Sequence, residues 1–306
     1  MDSQITKYES SLLVVLVMVA IFGYIFLNEN KKRSNELERV HLEQIRKVTE
    51  VENETKREIE NLDILATAIS VYDVDLDKKI YGKNDTTVKP LASLAKTLTV
   101  LVALNTNSYN DITVTENALQ EEGDYGLKES ETWGVADLAK FTLVLSANDG
   151  ASALSRNDRN FLNKMNIEAK YIGMKDARFL NVTGLDIDEE LAGAYGSAVD
   201  ANKMAIHALE KYPNIFKATI LPELQLKSKS GFSYNIKNTN PSVEEIPNIE
   251  FSKTGFTDLA GGNLTIIFRN INGHKIAVTL LGSTFSGRFL DIEKIVHVLY
   301  NTYKYE

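Results

Sequence analysis

The segment 263–283, NLTIIFRNINGHKIAVTLLGS, reads as two apolar β-strands flanking Asn272-Gly273, the dipeptide that most favours a tight hairpin because both residues tolerate positive φ. A second hairpin is expected near the other end, where LATAISVYD (65–73) and KKIYGK (78–83) are separated by Val74-Asp75-Leu76-Asp77. Apolar spacing makes residues 93 to about 212 mostly helical and predicts a closing helix over 288–304. Strands from both chain ends around a helical middle predict an α/β chain of the α+β kind. Its antiparallel sheet is flanked by helices, a helical subdomain is inserted, and a cleft lies between the two.

The chain has 306 residues, 43% hydrophobic and 25% charged, enough for one large or two ordinary domains with a real core. A net charge of −8 with no basic cluster argues against a nucleic-acid groove, which needs concentrated Lys and Arg. Cysteine is absent, so neither a disulfide framework nor a thiolate metal site is possible. His41, His207, His274 and His297 lack metal-ligand spacing, and no cofactor is expected.

Residues 12–27, LLVVLVMVAIFGYIFL, form an uncharged run about 24 Å long as a helix, which flanking Tyr8, Tyr24 and Lys31 extend towards a bilayer's thickness. No small-residue cleavage site follows Phe26-Leu27, so an uncleaved anchor is expected rather than a signal peptide. The domains then read as a short cytoplasmic tail (1–10), a transmembrane anchor (11–27), a helical spacer (28–62) and a catalytic domain (63–306). In the spacer, Leu37, Val40, Ile45, Val48, Ile59 and Leu62 fall at partly helical spacing. Glu52 and Thr55 interrupt that seam, which favours a solvated stalk over a coiled-coil dimer. Lys31, Lys32, Arg33 and Arg39 after the span outnumber Lys7 before it, a bias that by itself would keep the domain inside.

Three groups carry chemistry: Ser93-Leu94-Ala95-Lys96, Ser146-Ala147-Asn148 and Lys253-Thr254-Gly255. The first is the chain's single Ser-x-x-Lys, and Lys96 is the only charged residue between Lys89 and Asp111 on a segment otherwise fit for burial. A buried unpaired charge is expensive, so its presence asks for a function. Helical spacing puts Ser93 and Lys96 on one face, which suits Ser93 as nucleophile and Lys96 as its base. An ammonium cannot accept a proton; burial and the charge of Lys253 would both favour the neutral amine. Ser108-Tyr109-Asn110 and Ser233-Tyr234-Asn235 match the second group equally well. Ser146 is preferred because it joins an apolar run, 141–145, to the small-residue stretch 149–154, whereas the other two sit in polar, turn-like sequence.

This trio is the signature of penicillin-binding proteins and class A β-lactamases. With PLASLAKTLTVLVAL (90–104), EEGDYGLKESETWGVADLAKFTLVLSANDGASAL (121–154), RFLNVTGLD (178–186), FSKTGFTDLAGG (251–262) and Gly287-Arg288-Phe289, the chain resembles the D-alanyl-D-alanine carboxypeptidases, low-molecular-mass penicillin-binding serine peptidases, over roughly residues 65–300. The resemblance implies a β-lactamase/transpeptidase-like fold and an extracytoplasmic domain. It implies removal of the terminal D-alanine from peptidoglycan stem peptides through an acyl-enzyme on Ser93, in the service of cell-wall assembly and cell shape, with β-lactams as acylating inhibitors. It implies that Ser146 relays protons with Lys96, that Asn148 bonds the substrate backbone, and that Lys253 supplies positive potential. Thr254 and Arg288 would meet the terminal carboxylate, Gly255 would let a peptide pair with the strand edge, and the N–H groups of Ser93 and Phe256 would form the oxyanion hole.

The departures are Phe251-Ser252, where relatives usually carry Gly and an aliphatic residue, and Gly196-Ser197-Ala198-Val199-Asp200, where Ser-Thr-Ala-x-Asp is frequent. The sequence also ends soon after the last helix, so neither a β-rich C-terminal domain nor a C-terminal amphipathic anchor is expected. Two other readings stay open. A class A-like β-lactamase would need a deacylating carboxylate in a Glu-x-x-Leu-Asn setting, for which Asp188-Glu189-Glu190-Leu191 is the nearest acidic cluster. A non-hydrolytic penicillin sensor or wall-binding module is disfavoured because only ten residues precede the span.

Overall fold

The computed structural model describes residues 2–107, 111–123, 125–156 and 158–304; the side chains of residues 2–16 and of Asn107 lie outside that description. The chain divides into two compact units between Asn53 and Glu54. One helix, α1, runs Asp2–Glu60. Among the described residues no helix is long and apolar enough to cross a membrane, and the expected span at 11–27 begins where side chains are not described. Residues 28–60 are helical, but the end of this segment is not solvated. Thr55 and Ile59 are buried and Thr302 Oγ1 donates to Glu58 Oε2 at 2.7 Å, so the end of α1 belongs to the second unit, which starts at Glu54.

The main sheet has five strands, β1 (Ala68–Asp73), β2 (Lys78–Lys83), β3 (Ile249–Thr257), β4 (Gly261–Arg269) and β5 (Lys275–Ser283), in the order β3-β4-β5-β1-β2. All neighbours are antiparallel, with Thr265 opposite Thr279 and Val71 opposite Val278. Both expected hairpins form. The β4–β5 connection is longer than the Asn-Gly signal suggests, because Arg269 pairs with Lys275 and leaves residues 270–274 as the loop. Buried Asn270 organises it: Oδ1 accepts from the N–H groups of Asn272 and His274, while Nδ2 donates to Tyr303 O. Gly273, at φ +84°, takes the left-handed position.

Among the described residues, six further helices of eight residues or more complete the frame: α2 (Lys96–Asn107), α3 (Val135–Val144), α4 (Asn148–Ser155), α5 (Phe161–Ile172), α6 (Ala198–Lys211) and α7 (Gly287–Asn301). Helix α2 is the centre of the core, where Leu98, Leu101 and Val102 share an apolar cluster with Leu138, Phe141, Met165 and Met204. Its stretch Leu98–Leu104 is buried on every side, as a helix enclosed by others must be. Ser197 caps α6 in a reciprocal box with Asp200. Helix α7 is tied to the sheet by Asp291, whose carboxylate accepts from Leu65 N, Ala66 N and Ser283 Oγ.

One expectation is corrected here. Ser233-Tyr234-Asn235 is not a turn but the start of a strand, Ser233–Lys237, paired antiparallel with Glu223–Lys227. The turn lies just before it, where Ser228 N donates to Phe232 O and Gly231 adopts φ +92°. Polar residues on the open face of this two-stranded ribbon made it look like loop sequence. Ser108-Tyr109-Asn110 lies outside the described residues.

Candidate active site

A single 3-10 turn, Ala92–Ala95, leads into α2 and carries Ser93 at its outer side. Ala92 has φ +49°, a conformation an L-residue adopts only under constraint. The constraint is visible on both sides. Leu91 N donates to Ala194 O, and Asn263 Nδ2 donates to Pro90 O at 3.0 Å. The loop 181–186 closes from the other side, where a Cβ on Gly184 would lie 2.0 Å from Ala92 O. That residue therefore has to be glycine for the loop to reach the turn.

The loop's carbonyls have work to do. Lys96 Nζ donates to Thr183 O at 2.8 Å and Thr99 Oγ1 donates to Val182 O at 2.6 Å. The same Lys96 Nζ lies 2.7 Å from Ser93 Oγ. Lys96 is 0% exposed, and burial disfavours its ammonium form, bringing its pKa down from 10.5 to about 7 even though Glu121 and Asp149 pull the other way. Near neutral pH a large fraction of Lys96 is therefore a free amine poised on a serine hydroxyl.

The opposite wall is β3, at the edge of the sheet. Lys253 Nζ donates to Ser146 Oγ at 2.8 Å and to Thr254 O at 2.7 Å. It too is buried, and its pKa is pushed well down by desolvation first and then by the charges of Lys96 and Arg288. Ser146 lies between α3 and α4 at φ +58°, a second strained L-residue, so the chain reversal that aims its hydroxyl is held against a local preference. Its observed partner is Lys253, while Lys96 bonds Ser93 Oγ and Thr183 O.

Asn148 opens α4 and is 4% exposed. Its Nδ2 donates to Glu122 O at 2.7 Å and to Tyr125 Oη at 3.2 Å, while Oδ1 is buried without a partner. A buried acceptor left open beside the nucleophile turn marks where a ligand N–H can dock. Thr254 Oγ1 shares a 2.7 Å hydrogen bond with Thr239 Oγ1. A Cβ on Gly255 would sit 3.0 Å from Leu91 O and 3.2 Å from the backbone nitrogens of Ser93 and Leu94, so glycine is what lets β3 run against the nucleophile turn. Arg288 Nη1 donates to Gly255 O at 2.7 Å; its Nε is buried without a partner, and burial lowers its pKa to about 10. Phe256, two residues beyond Thr254, is 41% exposed.

All nine residues singled out from sequence thus fall on two facing walls. Thr183, Thr239 and Tyr125 were not foreseen as members. Thr183 acts through its carbonyl, and only its place in the 178–186 stretch drew attention to it. Asp188-Glu189-Glu190-Leu191 forms an exposed turn in which Asp188 Oδ1 accepts from Glu190 N and Leu191 N. Among the described residues, no group of three His, Asp or Glu side chains could hold a metal ion.

Residues 53–284 match the family described as D-alanyl-D-alanine carboxypeptidase. The D-alanyl-D-alanine carboxypeptidase DacF of Bacillus subtilis is 27% identical over 241 residues, 75% of this chain, and the chain spans only 61% of that relative's length. A D-alanyl-D-alanine endopeptidase of Haemophilus influenzae is 30% identical over 227 residues, covering 71% of this chain and 74% of the relative. Penicillin-binding protein D2 of Listeria monocytogenes, in its ampicillin-bound form, superposes with a TM-score of 0.68 at 28% identity, over 80% of this chain and 100% of that one.

Proposed function

The chain belongs to the D-alanyl-D-alanine carboxypeptidase family, and from that premise we propose that it removes the terminal D-alanine of peptidoglycan stem peptides through an acyl-enzyme on Ser93. The observation that carries this reading is the buried Lys96 amine 2.7 Å from the Ser93 hydroxyl. Neutral Lys96 takes the Ser93 proton as Oγ attacks the carbonyl of the penultimate D-alanine. The C–N bond breaks, an ester to Ser93 forms, and the leaving amine receives a proton by way of Lys96 and the Ser146 hydroxyl. Water then cleaves the ester, its proton returns to Ser93 Oγ, and Lys96 is again neutral.

The remaining groups orient the peptide. Asn148 Oδ1 accepts a substrate N–H, the open edge of β3 pairs with the extended peptide, and Thr254, Lys253 and Arg288 hold the terminal carboxylate. Backbone N–H groups of Ser93 and Phe256 stabilise the oxyanion, each worth about 3 kcal/mol in sites of this type. β-Lactams acylate the same hydroxyl; the capture of the Listeria protein with ampicillin and with cefotaxime supports this.

Residues 11–27 serve as a single-pass anchor that holds the catalytic unit outside the membrane. In support, Phe22, Tyr24, Phe26 and Leu27 are 65–72% exposed on α1, an apolar surface poorly suited to water. The substrate logic overrides the charge bias, since stem peptides trimmed in the cytoplasm would be lost to cross-linking. Protease added to intact cells lacking an outer barrier should digest the catalytic unit, whereas protection until lysis would overturn this topology. For the activity, the full chain incubated with a peptide ending in D-alanyl-D-alanine should release D-alanine and Ser93→Ala should not. Equal release by both would remove Ser93 from the reaction.

A further inference from the structure

Strand alternation puts Thr254 and Phe256 on the same face of β3. Beside them, Phe285 meets Phe256 edge-on, with ring centroids 5.1 Å apart and an interplanar angle of 88°. The two rings are 41% and 58% exposed. The guanidinium of Arg288 stacks 4.7 Å from the Phe285 centroid and 4.7 Å from that of Phe289, and its Nη1 is fixed on Gly255 O. The mouth of the site thus combines a desolvated cation with two adjoining, half-open aromatic faces. Such a combination suits an anion that carries an apolar group, because the charge meets the guanidinium while the apolar part covers the rings.

We propose that Phe256 and Phe285 form an apolar subsite for the side chain of the substrate's C-terminal residue, so that the enzyme accepts D-residues with larger apolar side chains in the leaving position beside D-alanine. The inference rests on the proposed carboxypeptidase reaction, in which Arg288 holds the leaving residue's carboxylate. With the carboxylate on Arg288, that residue's side chain lies within reach of the Phe285 ring, one stacking distance away. A methyl group covers little of the exposed ring surface, whereas an isobutyl group covers far more and gains accordingly from apolar burial. Phe285 is the better probe of the two, because Phe256 also supplies a backbone N–H to the reaction and Phe285 contributes only its side chain.

The test compares kcat/KM of the full chain on two peptides identical except for a C-terminal D-alanine or D-leucine. Wild type should turn over both, and the D-leucine to D-alanine ratio should fall about tenfold in Phe285→Ala, the size expected for losing one apolar contact. Phe285→Leu should recover most of the ratio, which a merely structural role for the ring would not produce. An unchanged ratio in Phe285→Ala, with D-alanine still released, overturns the subsite alone. Failure of wild type to release D-alanine at all overturns the carboxypeptidase reading and the subsite with it.

Discussion

Beneath the sheet, Asn202 of α6 donates through Nδ2 to Ser70 O and Ser70 Oγ and accepts from Thr279, whose hydroxyl also pairs with Thr265. Every group in that cluster is neutral, buried and matched by a neighbour. The cleft has Lys96, Lys253, Asn148 and Arg288 buried as well but is built the other way. Lys96 and Lys253 bring two ionisable amines together and give each a hydroxyl and a carbonyl as partners. Ala92 and Ser146 hold positive φ, and Asn148 Oδ1 and Arg288 Nε have no partner. The first cluster specifies how α6 docks on the sheet. The second stores unmet bonding capacity that a substrate's carbonyl, N–H and carboxylate would satisfy.

The contrast breaks first at Ser93. Ser93→Ala should show no covalent adduct by intact mass after penicillin treatment, with turnover down by about 10⁴-fold or more. A persisting adduct would show that the nucleophile lies elsewhere.

Lys96→Met should slow acylation by about 10² to 10⁴-fold, the range for losing a general base. It also exposes the stability penalty of the buried cation. The folded pKa of Lys96 is lowered to about 7 from 10.5, so above pH 7 the unfolded chain keeps a proton that the folded chain has released. Unfolding free energy should therefore rise with pH in wild type relative to Lys96→Met, by about 2 kcal/mol between about pH 7 and 9. Parallel denaturation curves for the two proteins across that window would contradict the assignment.

Gly255→Ala should reduce kcat/KM by about 10²-fold with the fold retained, since the added Cβ presses β3 away from the Ser93 turn. Asn202→Ala marks the other side of the comparison: about 2 kcal/mol of stability lost in urea titration, with acylation within about twofold of wild type. A large acylation defect there would mean that the two clusters are coupled.

The sheet hairpins and the nucleophile helix were legible because periodicity and a lone Lys in an apolar run are local signals. The Ser146–Lys253 hydrogen bond, across 107 residues of chain, was not. Nor was the use of Thr183, because a backbone carbonyl is the same on every residue and only the fold selects which one faces an amine. The ribbon of residues 223–237 was missed because its half-exposed strands carry polar residues at alternate positions, a pattern shared with loops. The docking of Thr55 and Ile59 was obscured by the same Glu52 and Thr55 that interrupt the apolar seam, since a hydroxyl buried by tertiary contact looks polar in sequence.

The central claim is that a buried, largely neutral Lys96 activates Ser93, and the pH dependence of the acylation rate by penicillin tests it most directly. Protonation silences the base, so the rate should be low in acid and rise to a plateau through a midpoint of about 7, where Lys96 titrates. A rate that stays flat between about pH 6 and 9, or that rises only at the ordinary lysine value of about 10, would contradict it.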